Sequence, residues 1–202
     1  LMILIMIGLS SVIIQYTSVS YFVLPFALLP IIIRVFFDSR TALFAHIITI
    51  SIISLMVDNP FQFLLIQIAI GMTAVSSLKD MTQRSQLAQT ALIILIAHFL
   101  IYLALEFMSE GELKRIYWQP LIYFTISSSF LLFAYLLIYI FEKIFGLISA
   151  VTLLELTNIN SDLMMKFAEK APGTFQHTLQ VSNLATEAAK KIGANSLLVR
   201  TG

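Results

Sequence analysis

The sequence predicts an all-α protein, a polytopic transmembrane bundle of six spans followed by the first helices of an incomplete cytoplasmic helical domain. Three observations predict it. Hydrophobic residues make up 59% of the chain and charged residues only 11%, against about 45–50% and about 25% in soluble domains, and mean hydropathy is +0.94. The apolar residues gather into six runs with very short connections. Beyond Ser149 the composition turns polar and charged.

The same composition excludes several function classes. A net charge of +1 gives nucleic acid no reason to bind. There is no cysteine, which removes disulfides, thiolate metal sites and cysteine nucleophiles. The chain begins at Leu1 inside an apolar run, with no charged n-region or small-residue cleavage site, so it is not expected to start with a signal peptide. It is expected to be a fragment at both ends.

A hydrocarbon core of roughly 30 Å needs about 20 apolar helical residues. The first run, 1–16, is somewhat short. The second is 19–37 and contains Pro25 and Pro30. The third is 41–57, the fourth 60–78, the fifth 87–109 and the sixth 117–141. Each is apolar all round rather than along one stripe, which favours lipid over a soluble core. Proline inside a span is tolerated where neighbouring helices satisfy the freed carbonyls. The short connections make consecutive spans antiparallel neighbours.

Orientation follows from Lys and Arg placement. Arg34 and Arg40 flank the loop after span two, Lys79 and Arg84 follow span four, and Lys143 ends span six. If the spans alternate, all lie on one side, the expected cytoplasm. The other side holds Asp58 and Asn59, then a loop where Lys114 and Arg115 are offset by Glu106, Glu110 and Glu112. Trp118, Tyr117 and Tyr102 are expected as aromatic anchors at that outer interface.

Polar groups at membrane depth are costly and often functional. His46 falls early in span three and His98 near the middle of span five. Each is expected to be a neutral histidine bonded to a neighbouring helix, with a ligand or proton-relay site as the sharper alternative. Arg34 and Glu106 lie near span ends, where they can snorkel. Gln62, Gln67 and Ser127 to Ser129 are expected to tie helices together. With no acidic pair, no repeat-related broken helices and no selectivity-filter sequence, transport has little support.

The polar C-terminal segment predicts short helices. Residues 151–157 form one, and Ser161 caps a second over 162–170, with Asp162 in its first turn and Lys170 in its last to match the helix dipole. Ala171-Pro172-Gly173 stops it. Thr174 is the next capping candidate, for a helix over 175–192 that ends at Gly193. Asn195 or Ser196 then caps a fourth helix. On the third, His177, Val181, Leu184 and Ala188 fall on one stripe. That stripe is expected to face the domain core. A buried imidazole must be hydrogen-bonded or metal-bound. Periodicity alone favours a satisfied core histidine, because no set of further metal ligands lies near in sequence.

The run Leu153-Leu154-Glu155-Leu156-Thr157-Asn158-Ile159-Asn160 is followed by Ala168-Glu169-Lys170-Ala171-Pro172-Gly173-Thr174-Phe175-Gln176-His177-Thr178, then by Asn183-Leu184-Ala185 and Ile192-Gly193-Ala194-Asn195. It resembles the start of the HD domain in the seven-transmembrane HD-domain phosphohydrolases. The resemblance implies two domains. Residues 1–148 would be the last six of seven spans. Residues 149–202 would be a linker helix and the beginning of a cytoplasmic HD domain. It further implies a bacterial inner-membrane enzyme that hydrolyses a cyclic dinucleotide, cyclic di-AMP in characterised members, with the spans as sensor and anchor. The position of His177 would be the first ligand of a divalent metal pair, iron or manganese, and the remaining ligands and catalytic groups would follow Gly202. Members often carry two adjacent histidines here. In this chain the first is Gln176, so only the ligand position is kept. The expected partners are the lipid bilayer and the cyclic dinucleotide, with a homodimer left open.

Two other classes compete. A multi-span sensor histidine kinase would use His177 as phosphoacceptor. Such a helix usually shows an acidic residue just after its histidine and a proline soon afterwards. Here Thr178 follows, and no proline occurs between Gln176 and Gly202. A non-catalytic scaffold or transporter would leave the Pro-Gly-Thr segment unexplained.

Overall fold

The structure is a computed structural model that describes residues 2–78, 86–110 and 118–202, with only the backbone for residues 109 and 110. Among these residues all regular structure is helical. The chain divides into two compact units, Leu1–Leu147 and Ile148–Gly202.

The first unit contains α1 (Met2–Tyr16), α2 (Leu28–Phe36), α3 (Ser39–Ser54), α4 (Pro60–Ser77), α5 (Gln86–Glu110), α6 (Trp118–Phe130) and α7 (Ala134–Phe145). A 3₁₀ turn at Leu131–Phe133 joins α6 to α7. Consecutive helices from α2 to α6 pack against one another, and α2 also packs against α4 and α7. Three helices are long and apolar enough to cross a membrane: Pro60–Ser77, Gln86–Met108 and Trp118–Phe145. The last runs further than the expected 117–141 and stops at Gly146, whose φ of 63° is the left-handed conformation that ends helices.

The three apolar segments before them are shorter than a spanning helix. At 1.5 Å per residue, the 15 residues of α1 and 16 of α3 reach about 22–24 Å. The second segment is interrupted. A 3₁₀ turn at Tyr21–Val23 gives way to Leu24 in extended conformation, and α2 restarts at Leu28 with 9 residues. Pro25 is the cause, since proline disfavours helical geometry in the residue before it and has no N–H to give. Pro30 sits in the first turn of α2, where that loss costs little. The Leu24 carbonyl accepts from the Phe26 amide at 2.9 Å and also from another helix, where Ser127 Oγ–H donates to it at 3.1 Å. Buried rings close around the break, with Phe22 5.1 Å from Phe124 and Phe26 5.3 Å from Phe63.

Asp38 caps α3, accepting from the Arg40 and Thr41 amides and the Thr41 hydroxyl. Tyr102 is a correction to the anchor assignment: it is buried, its ring 5.8 Å from Phe124, because that face of α5 packs on α6. Trp118 is exposed. Lys79, Arg84, Glu112, Lys114, Arg115 and Tyr117, on which the orientation argument drew, lie outside the described residues.

The second unit contains α8 (Ala150–Leu156), α9 (Asp162–Lys170), α10 (Pro172–Lys191) and α11 (Ser196–Thr201). Ser149 caps α8, Ser161 caps α9 by accepting from the Met164 amide, and Asn195 caps α11 through the Leu197 and Leu198 amides. α10 starts three residues before the expected Phe175. Pro172 takes its first position, where a missing N–H is no loss, so Thr174 is not its cap. Gly193 has φ 70° just past its end.

Candidate functional site

His177 stands in the second turn of α10 and is exposed. This corrects the expected inward direction. Val181 and Leu184 on the same stripe are 50% and 72% exposed, and Ala188 is exposed as well. The covered face is the neighbouring one, where Phe175, Thr186 and Ala189 are buried and Leu179 and Ser182 half-buried. Both faces carry apolar residues at helical spacing, so periodicity could not choose between them. Packing chooses. α9 and α11 both lie against α10, the Phe175 ring meets Phe167 edge-on at 5.7 Å, and Ser182 Oγ–H donates to the Arg200 carbonyl at 3.3 Å.

Beside the covered face lies an apolar cavity of about 270 Å³, with Met164, Phe167, Leu179 and Val199 among its walls and His177 not among them. Among the described residues no three His, Asp or Glu side chains come close enough to hold a metal ion. A two-metal centre needs several donors. One imidazole does not amount to one, so no metal chemistry can be built from α10 alone.

The membrane unit holds the other two histidines, both buried. His46 Nε2–H donates to the Gln67 carbonyl of α4 at 2.9 Å. A carbonyl only accepts, which fixes the proton on that nitrogen, and His46 Nδ1 is buried without a partner. The ring lies in the notch left by Gly71: a Cβ added there would fall 2.2 Å from His46 Cδ2. His98 Nδ1–H donates within its own helix to the Ile94 carbonyl at 3.0 Å, and its ring stacks on Phe124 at 4.7 Å. Of the other expected ties, Ser127 bridges to Leu24, while Ser129 bonds back to Thr125 in its own helix.

A family model for the 7TM receptor with intracellular HD hydrolase matches residues 1–149. The chain belongs to this 7TM receptor–HD hydrolase family. Membership and the three spanning-length helices make it a membrane protein. Among relatives of this 7TM receptor–HD hydrolase chain, the cyclic-di-AMP phosphodiesterase PgpH of Listeria monocytogenes is 32% identical over 186 residues, 90% of this chain and 26% of the relative. PgpH of Bacillus subtilis is 30% identical over 196 residues, 93% of the chain and 27% of the relative. An uncharacterized protein of Synechocystis is 48% identical over 61 residues, 30% of the chain and 8% of the relative. The chain thus spans about a quarter of the length of the two phosphodiesterases. No solved structure matches it.

Sequence reasoning missed two features of the family's membrane unit. The His46–Gly71 contact had a faint signal, a histidine and a glycine in consecutive apolar spans. A polar cleft at one end of the bundle had none, because its walls come from four separate segments.

Proposed function

We propose that the full-length protein is a membrane-anchored, metal-dependent phosphodiesterase of the HD superfamily that hydrolyses a cyclic dinucleotide, cyclic di-AMP first. One observation carries this. The match to the Listeria phosphodiesterase is longer than the membrane segment and so runs on into the C-terminal unit. In this proposal α8 to α11 open the HD domain, and α10 holds His177 on an uncovered face as the first ligand of an iron or manganese pair. The remaining ligands come from other parts of the full-length protein. This chain's own contribution is to hold the imidazole: Pro172 fixes the start of α10, and Phe175, two residues earlier, is locked against Phe167.

All six apolar segments cross the bacterial cytoplasmic membrane in this proposal, with the C-terminal unit in the cytoplasm. The outer faces of α1 and α3 support it, since Leu4 and Phe44 are each 72% exposed and Ile5, Leu9, Ile47 and Ile48 are exposed as well. Such surface is disfavoured in water and at home in lipid.

The test uses the purified full-length protein. Hydrolysis of cyclic di-AMP and bound metal are measured for the wild type and His177→Ala, and both should fall sharply in the variant. Unchanged metal stoichiometry and turnover would remove His177 from the site. A wild type inert toward both cyclic di-AMP and cyclic di-GMP would remove the phosphodiesterase. For topology, a cytoplasm-dependent reporter fused after Gly202 should be active, and one that works only outside the membrane would overturn the orientation.

A further inference from the structure

On the flank of the bundle, α5, α6 and the 3₁₀ turn after α6 leave an open groove of about 200 Å³ between them. Small residues line it, Ala88 and Ala91 of α5 and Ser128 and Ser129 of α6, with Leu92 and Leu132 beside them. Leu92 and Leu132 are exposed, at 59% and 55%. At 1.5 Å per residue, Leu92 stands about 9 Å along α5 from its first residue, Gln86. The groove therefore runs along the side of the helix pair and not across its end.

The groove also holds a polar atom with nothing to bond. Three serines follow one another on α6. Ser127 Oγ–H donates to the Leu24 carbonyl, and Ser129 Oγ–H to the Thr125 carbonyl of its own helix at 2.8 Å. Ser128, between them, is 4% exposed, and its Oγ is buried without a hydrogen-bond partner. In hydrocarbon no water reaches such a hydroxyl, so leaving it unpaired costs free energy.

The groove's chemistry and the family's span count select an occupant. A lipid tail would fill the space but offers no acceptor to Ser128. A transmembrane helix offers both a surface and an oxygen, and small residues are what let one helix approach another closely in lipid. The family is described as a 7TM receptor, and this chain supplies six apolar segments. The chain also spans only about a quarter of the length of the two phosphodiesterases. One span of the seven therefore lies in the rest of the polypeptide. Being tethered, it meets the groove at a high effective concentration, ahead of a second copy of the protein.

We infer that this groove seats the family's remaining span, contributed by the same polypeptide from outside residues 1–202, and that this span supplies the acceptor for Ser128 Oγ–H. The inference rests on the proposed crossing of all six apolar segments, which leaves one span to place.

The test is photo-cross-linking of the full-length protein in native membranes. The photoreactive residue p-benzoylphenylalanine replaces Leu92, Leu132 or, as a control on the outer face of α3, Phe44, and adducts are mapped by mass spectrometry. Leu92 and Leu132 should both capture one apolar stretch outside residues 1–202, on a species of single-chain mass, and Phe44 should not. Ser128→Leu fills the groove and should remove most of that capture. Ala88→Leu, at an exposed position, makes the same test should Ser128→Leu fail to fold. The inference is overturned if the groove positions join two copies, if they capture lipid alone or nothing, if Phe44 captures the span equally, or if the folded leucine variants leave the yield unchanged. Topology reporters in the connections between segments count the crossings separately. Capture beside fewer than six crossings would keep the docking and remove the six-span reading; six crossings without capture would remove the docking alone.

Discussion

Gly71 is where a single added methyl group should be felt most. The Cβ of alanine would sit 2.2 Å from His46 Cδ2, 2.5 Å from Nε2 and 3.2 Å from Cγ. Carbon atoms at rest stand about 3.5–4.0 Å apart, so the ring must retreat by more than an ångström. It is not free to do so. Its Nε2–H is bonded to the carbonyl of Gln67, one turn earlier on the same helix, and His46 is 1% exposed. Either the ring swings out and the bond is lost, or α3 and α4 move apart. Overpacking typically costs about 1–3 kcal/mol, and a hydrogen bond between membrane helices averages about 0.6 kcal/mol. Replacing glycine inside a helix returns about 1 kcal/mol. The net for Gly71→Ala is a loss of about 0.6–2.6 kcal/mol. Thermal unfolding of the full-length protein in detergent should show a lower midpoint, and His46→Ala added to Gly71→Ala should recover part of it, because the double variant removes the collision. A Gly71→Ala midpoint at or above wild type would refute the reasoning, as would a double variant no better than the single one.

Three further outcomes follow from the geometry. Ser127→Ala removes the donor to the Leu24 carbonyl and should destabilise the bundle by about 1 kcal/mol, read as a lower unfolding midpoint with the helical content unchanged. The Asp38 carboxyl is held below its ordinary value, chiefly by the Thr41 hydroxyl and then by the Thr41 and Arg40 amides. A lowered folded value means the contribution is complete above the unfolded carboxylate range and disappears as pH falls through the folded value. Asp38→Asn keeps a capping oxygen, so its midpoint should trail the wild type near neutrality and close on it as pH falls below the ordinary carboxylate range; a constant gap would exclude the charged form as the cause. His177→Ala should leave the unfolding midpoint within about 0.5 kcal/mol of wild type, the usual effect of a surface change, while metal content falls. A large loss of stability would mean that the ring is structural.

The membrane class was legible because it depends on composition, which no detail of packing can reverse. The caps at Ser149, Ser161 and Asn195 lie in local spacing, and Ser161 and Asn195 were read from it. The interruption at Pro25 was not foreseen. Proline in a span can be absorbed as a kink; here the helix breaks, and one of the partners that meets the Leu24 carbonyl there is 103 residues away, Ser127. His177 shows the same limit. Its stripe and the one beside it both satisfy helical periodicity, and only the positions of α9 and α11 decide which is covered. For Tyr102, aromatic character suggested the interface, and contact with Phe124 placed it inside.

The Leu24–Ala27 interruption has a mechanical consequence. An unbroken helix is a stiff rod that carries an axial push from end to end through its own hydrogen bonds. Across this gap the regular ladder gives way to short turn bonds, among them Phe26 N–H to the Leu24 carbonyl and Leu28 N–H to the Pro25 carbonyl, so a displacement of the Tyr21–Val23 turn reaches α2 partly sideways, through ring faces and a serine hydroxyl belonging to α4 and α6. The segment therefore behaves as two short levers sharing a fulcrum on their neighbours, and substitutions at that fulcrum should alter how one half follows the other more than they alter either half.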